Sequence, residues 1–251
     1  MPHTLGLIAS CDLTPFADFT PGHSVAQTTP YGDPSAPLHH TRLAGHPVIV
    51  LQRHGLEHQI PPHGINYRAN LWALRAAGVQ QIIGLATVGG IHPEMEPGAI
   101  SIPDQLIDYT YGREHTFATT LNDTFGHIDF SSPYNMPLRQ TLIAAAQAGD
   151  IACVPHGVYG ATQGPRLETA AEIRRLQQDG CDIVGMTGMP EASLARELSL
   201  AYANLSLVVN WGAGINNDSI DLQQVIVYRN TGLRTVLRMI ETFCSQDNHC
   251  N

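Results

Sequence analysis

Three stretches of one region decide the fold: Gly157-Val158-Tyr159-Gly160-Ala161-Thr162-Gln163-Gly164-Pro165-Arg166-Leu167-Glu168-Thr169, then Asp182-Ile183-Val184-Gly185-Met186-Thr187-Gly188-Met189-Pro190-Glu191-Ala192, then Leu207-Val208-Val209-Asn210-Trp211-Gly212-Ala213-Gly214. Each carries a short apolar run that stops at glycine and polar residues: Gly157–Ala161, Ile183–Gly185 and Leu205–Asn210. Runs of this length bounded by turn formers read as strands. Helical patterns stand between them. Thr169–Asp179 turns Glu172, Arg175 and Gln178 outward and stops at Gly180. Pro190–Leu198 opens with proline and then Glu191, a favourable first turn. Strands alternating with helices specify an α/β domain.

The same rhythm extends outward. Leu5–Ala9, Val48–Gln52, Gln81–Ala86 and Gln105–Tyr109 read as strands, and Pro30–Pro37 is turn-rich. Asn66–Ala77 carries Leu71, Leu74 and Ala77 on one face and is stopped by Gly78. Pro137–Ala148 does the same with Leu138, Leu142 and Ala145, and Gly149 ends it. Leu222–Cys244 is a long final helix. With no repeat, low-complexity tract or boundary in sight, residues 1–245 are expected to form a single domain, with 246–251 a frayed tail.

Composition excludes several functions. A formal net charge of −9 argues against nucleic acid or an anionic membrane as a general partner. An anionic substrate would need a local cationic pocket. No apolar run approaches the ~18 residues of a membrane span, and the first residues do not read as a signal peptide. All 13 basic residues are arginine, which rules out a lysine Schiff base or a P-loop lysine. Five cysteines without a CxxC pair read as reduced thiols of a cytoplasmic protein. Thirteen histidines without HExxH or paired cysteines give no expectation of a metal.

Three strand ends place polar residues beside glycines: Arg53-His54-Gly55, Thr87-Val88-Gly89-Gly90 and Met186-Thr187-Gly188. In open α/β sheets ligands sit at the carboxyl ends of strands. An arginine fork, threonine hydroxyls and glycine-flanked amides together suit an oxyanion such as phosphate. Taken alone, Arg53 reads as half of a surface ion pair.

The QGPRxET run at 163–169 and the GMTxxPEA run at 185–192 are more specific. Through them the chain resembles the purine nucleoside phosphorylase and methylthioadenosine phosphorylase family of trimeric type. The nearest likeness is to the branch acting on S-methyl-5′-thioinosine. Arg53-His54-Gly55, Asn66–Asn70, Val88–Ile91 and Pro103–Arg113 extend the resemblance from about Pro30 to Gly214. It implies one α/β domain with a central mixed, twisted sheet flanked by helices, and assembly as a homotrimer. It implies phosphorolysis of a purine nucleoside, with inorganic phosphate as co-substrate and neither metal nor organic cofactor. Catalysis would then be positioning and electrostatics around an oxocarbenium-like transition state. Carried over residue by residue, Arg53, His54 and Thr187 hold phosphate, with Thr87 a weaker candidate. Met186 packs on the ribose, Glu168 binds the base and Asn210 contacts N7. His127 matches a position that reaches a neighbouring subunit's site. Alone, Glu168 would read as a helix-start carboxylate and Asn210 as a turn residue.

Substrate preference follows from donors and acceptors. A carboxylate such as Glu168 accepts the N1 proton of a 6-oxopurine but mismatches adenine's N1 lone pair. Adenine-using relatives place aspartates at the positions of Asn210 and Gly212, so hypoxanthine or guanine is expected. Leu222, Val225 and Ile226 offer an apolar lining for a 5′-methylthio group, although they equally suit the core face of the last helix. One departure stands out. The family's glycine-rich first strand end, whose hydroxyl and amides grip phosphate, here reads Leu7-Ile8-Ala9-Ser10-Cys11-Asp12-Leu13. Cysteine donates poorly, and Asp12 would set a negative charge beside phosphate. Three readings stay open, in this order: phosphorolysis with Ser10 supplying the hydroxyl, hydrolysis with Asp12 as base, or a non-catalytic nucleoside-binding protein.

Overall fold

The computed structural model describes residues 4–118, 120, 127–216 and 219–247. Its strands are β1 (Thr4–Ala9), β2 (His23–Val25), β3 (Leu38–Leu43), β4 (His46–Gln52), β5 (Val79–Gly90), β6 (Ile100–Ser101), β7 (Gln105–Asp108), β8 (Val158–Ala161), β9 (Ile183–Gly185) and β10 (Ala201–Trp211). The helices are α1 (Tyr67–Ala76), α2 (Met136–Ala148), α3 (Ala170–Gln178), α4 (Gly188–Glu197) and α5 (Leu222–Asp247). All ten strands join one sheet in the order β2-β3-β4-β1-β5-β9-β8-β7, with β10 on β5 and β6 on β10.

The sheet is mixed, as expected, and its branch point is β5. Strand β10 runs parallel along one edge of β5, from Gln81 to Gly90. On the other edge β1 pairs in parallel as far as Gly84, and β9 pairs antiparallel only at Gly89 and Gly90. Residues 85–88 of β5 therefore face neither β1 nor β9. The sheet splits there, at the carboxyl ends of β1 and β4, where an open α/β sheet holds ligands.

Alternation distributes the core to both faces. Leu5, Leu7 and Ala9 of β1 and Ala203, Leu205, Leu207 and Val209 of β10 pack with α2 and with Leu233, Val236, Leu237 and Ile240 of α5. Ile8 of β1 and Val208 of β10 face the opposite layer, with Leu71 and Leu74 of α1 and Leu194 and Leu198 around α4. Burial on both sides explains why these strands read as continuous apolar runs.

Among the described residues, side chains cap three of the helix starts. Asn66 Oδ1 accepts from Ala69 N at 3.1 Å to open α1, and Asn135 Oδ1 accepts from Leu138 N at 3.0 Å to open α2. Thr169 and Glu172 form a reciprocal capping box at α3. Each such cap contributes roughly 1 kcal/mol.

Several elements depart from expectation: β2 and β6 are unanticipated short strands, β10 begins at Ala201, and Pro190 sits at a kink within α4 rather than opening it. β3 is a strand although it reads Leu-His-His-Thr-Arg-Leu, because it pairs antiparallel with β4 through a turn at Ala44 and Gly45, both at positive φ. Its pairing supplies what its apolar content does not. α5 continues to Asp247, past the start of the expected tail, and residues 248–251 lie outside the described residues. Among the described residues no helix is long and apolar enough to cross a membrane.

Beneath the split in the sheet lies a buried ion pair. Arg53 is 1% exposed and Glu191 0%. Arg53 Nε and Nη2 each donate to one carboxylate oxygen of Glu191, both at 2.7 Å. The Tyr202 hydroxyl donates to the same carboxylate at 2.8 Å. Arg53 also donates to the carbonyls of Leu85 at 2.8 Å and Ile8 at 3.4 Å. A Cβ on Gly84 would collide with the Tyr202 hydroxyl and the Glu191 carboxylate, so only glycine fits beside this pair. Breaking a buried pair leaves an uncompensated charge. Glu191→Ala should therefore lower unfolding free energy by about 3–5 kcal/mol. Urea unfolding of the variant measures this, and a loss below about 1 kcal/mol would contradict it.

Candidate active site

The split opens into a cavity of about 510 Å³. Ser10, Arg53, His54, Thr87, Glu168, Met186, Thr187, Asn210 and Val225 all line it. Residues read separately from seven places in the sequence thus share one space.

Arg53 lines the cavity as the resemblance implies, but it is not half of a surface ion pair. Its ion pair is buried rather than on the surface, and four of its five N–H donors are already engaged. Burial opposes its charge, and the adjoining Glu191 more than restores it, leaving the guanidinium firmly protonated. It stiffens the cavity floor and has one donor left for a ligand.

His54 is also changed in character. Its Nδ1 lies 2.8 Å from the Ile60 carbonyl and donates to it. Burial lowers its pKa to about 4, assisted by the neighbouring charges of Arg53 and His58. At neutral pH it is an uncharged ring whose Nε2 keeps a lone pair. It accepts a hydrogen bond and adds no positive charge.

The remaining groups are held in place by neighbours. Thr187 stands just before α4, its hydroxyl makes no capping bond among the described residues, and its backbone N–H donates to the Tyr159 hydroxyl at 3.4 Å. Glu168 receives the Thr162 hydroxyl at 2.6 Å on Oε1. The Asn210 amide donates to the Trp211 carbonyl at 2.7 Å. Strand β1 delivers Ser10 and Cys11 to the rim, and burial raises the Cys11 thiol's pKa.

Four expected contributors lie elsewhere. Asp12 turns away: its carboxylate accepts from the backbone N–H of Thr14 at 3.0 Å and from its hydroxyl at 2.8 Å, in an exposed turn outside the cavity. Leu222 is 65% exposed and does not line the cavity, nor does Ile226. Val225 and Arg229, four apart on one helix face, line the cavity, whereas Leu222 and Ile226 do not. His127 is exposed and does not line the cavity of this chain.

The sequence reading missed Arg113. Its guanidinium donates to the carbonyls of Thr162, Gln163, Met186 and Met189 at 3.2, 2.8, 2.8 and 2.6 Å. It thereby ties the loop after β8 to the loop after β9. Its partners lie more than forty positions away, so no local pattern marks it. Ile220 and the segment His58–Pro62 were likewise missed as lining. Among the described residues no group of three or more metal-ligating side chains occurs.

Comparison with known proteins identifies the family. Residues 4–244 match the model of the phosphorylase superfamily, and the chain belongs to that family. It is 50% identical over 219 residues to a probable S-methyl-5′-thioinosine phosphorylase of Pseudomonas syringae pv. tomato, covering 87% of this chain and 89% of that one. It is 41% identical over 217 residues to a 6-oxopurine nucleoside phosphorylase of Pyrococcus furiosus, covering 84% and 81%. The structure is similar to a methylthioadenosine phosphorylase from Schistosoma mansoni in complex with adenine, with a TM-score of 0.88 at 29% identity over 97% of this chain and 91% of that one.

The His54 assignment has a direct check. Its folded pKa, about 4, lies below the ordinary 6.5, so the unfolded chain takes up the proton first. The stability contributed by the neutral ring is complete above about pH 6.5 and is lost as pH falls through 4. Nuclear magnetic resonance of the imidazole nitrogens should show no titration of His54 between about pH 8 and 5. A midpoint above about 6 would make it a cation and overturn the assignment.

Proposed function

We propose that the chain is a purine nucleoside phosphorylase, a pentosyltransferase that cleaves S-methyl-5′-thioinosine or a related 6-oxopurine nucleoside with inorganic phosphate. The observation that carries this reading is one cavity that unites base-binding groups, Glu168 and Asn210, with anion-binding groups, Ser10, Thr87 and Thr187. In the reaction the C1′–N9 bond breaks and its electrons go to the purine. A phosphate oxygen forms the new bond to C1′, giving free base and a sugar 1-phosphate. No cofactor enters this balance.

Each residue has a task that its chemistry supports. Glu168, oriented by Thr162, accepts the N1 proton of the 6-oxopurine. Asn210 offers an amide to N7 as negative charge collects on the leaving base. The hydroxyls of Thr87, Thr187 and Ser10 donate to phosphate. Neutral His54 accepts from a phosphate O–H through Nε2. Met186 packs on the ribose, and Val225 with Ile220 supplies apolar surface for the 5′-methylthio group. Hydrolysis by Asp12 has no geometric support, since that carboxylate is committed to Thr14 outside the cavity.

The relatives named as thioinosine and 6-oxopurine nucleoside phosphorylases support the 6-oxopurine preference. Assembly as a homotrimer is supported by exposed apolar side chains at Leu56, Leu222 and Val227, which a second copy would cover. Exposed His127 would then reach a neighbour's cavity. Free thiols at Cys11, Cys153, Cys181 and Cys244 suit the cytoplasm, and the chain would act there as one domain.

Product analysis with methylthioinosine, inosine and methylthioadenosine, each with and without phosphate, tests the reaction. Phosphate-dependent release of hypoxanthine with a sugar 1-phosphate is expected; release without phosphate would overturn phosphorolysis. Asn210→Asp should shift the ratio of kcat/KM toward adenine nucleosides by about tenfold or more. An unchanged ratio would remove Asn210 from base selection.

A further inference from the structure

A phosphate dianion bound in this cavity needs positive charge, and most of the obvious sources are spent. Arg53 is neutralised by its bidentate contact with Glu191, both groups being buried. His54 is uncharged at neutral pH. The Cys11–Asp12 departure removes the glycine amides and hydroxyl that the resemblance would place against phosphate. Among the described residues that line the cavity, one other arginine remains: Arg229.

Arg229 lies on α5, one turn beyond Val225, and the two residues face the same cavity. It is half-buried. Its hydrogen bonds among the described residues go to the neutral Asn230 side-chain oxygen, at 3.2 Å from Nε and 3.1 Å from Nη2. No described carboxylate is paired with it. Its charge is felt at Cys11, where it works against the burial that raises the thiol's pKa. Arg229 thus stands on the Ser10–Cys11 side of the cavity, where the anion-binding strand end is weakest.

We propose that Arg229 is a phosphate-binding residue, supplying from α5 the uncommitted positive charge that the altered first strand end does not provide. The proposal rests on the phosphorolytic reading and deepens it. A guanidinium binds a phosphate oxygen pair through two parallel N–H donors, which suits both inorganic phosphate and the sugar 1-phosphate product. It also explains how a chain of net charge −9 holds a dianion without lysine.

The test compares wild type with Arg229→Gln and Arg229→Lys. A half-buried residue without a described ion pair is replaceable without loss of the fold, and Arg238→Gln, exposed on the same helix, serves as control. Two readings are taken: KM for inorganic phosphate and for methylthioinosine separately, and the rise in Tm produced by inorganic phosphate alone. Arg229→Gln should raise the phosphate KM by about tenfold or more, leave the nucleoside KM within about twofold, and abolish most of the Tm rise. Arg229→Lys should recover part of both, as a point charge without the fork. An unchanged phosphate KM and Tm rise would overturn the proposal, as would an increase confined to the nucleoside KM. If wild type itself releases base without phosphate and phosphate leaves its Tm unmoved, the phosphorolytic reading fails instead.

Discussion

The pair between Arg53 and Glu191 is the constraint on which the cavity depends. Strand β5 leaves residues 85–88 unpaired on one edge where β1 has ended and β9 has not begun. Such an edge exposes carbonyls that would be costly to bury unpaired. Arg53 enters the gap and donates to Leu85, while Glu191 holds its other side. One guanidinium thus links β4, β5 and the start of α4, and Tyr202 adds β10. The opening remains a defined space because its floor is ionic and held by four hydrogen bonds from one guanidinium.

Arginine has a second use in this lysine-free chain. Arg113 gathers carbonyls from two loops, Arg139 donates to the carbonyls of Pro103, Ile102 and Pro155, and Arg196 to those of Asp129 and Ser132. A planar fork of five donors can satisfy several carbonyls at once, whereas an ammonium is a compact, strongly hydrated point charge. Irregular loops, which cannot pair their own backbones, are fixed this way. Glu168 and Met186 gain their positions from Arg113's partners rather than from regular secondary structure.

The electrostatics of the cavity follow from burial. Desolvation strips His54 of its proton, and Glu191 cancels Arg53, so the floor binds by hydrogen bonds more than by net charge. That is compatible with a transition state in which positive charge develops on the sugar and the bound phosphate stabilises it. Uncommitted positive charge then comes from Arg229 of α5, which lines the same cavity.

Local chemistry alone determined much of this. Asn66 and Thr169 open the helices read from the sequence because a cap is a contact within three residues, and the apolar runs of β1, β5 and β10 announce buried strands because both faces meet helices. The motifs around Glu168, Thr187 and Asn210 were legible because they follow strands, and the ends of neighbouring strands meet at one cleft. The partners of Arg53, the neutrality of His54, the outward turn of Asp12, the clamp by Arg113 and the choice of Val225 and Arg229 over Leu222 were decided only by the tertiary structure. Each depends on burial or on groups distant in sequence, and neither desolvation nor a carbonyl forty positions away leaves a mark on the residues beside it.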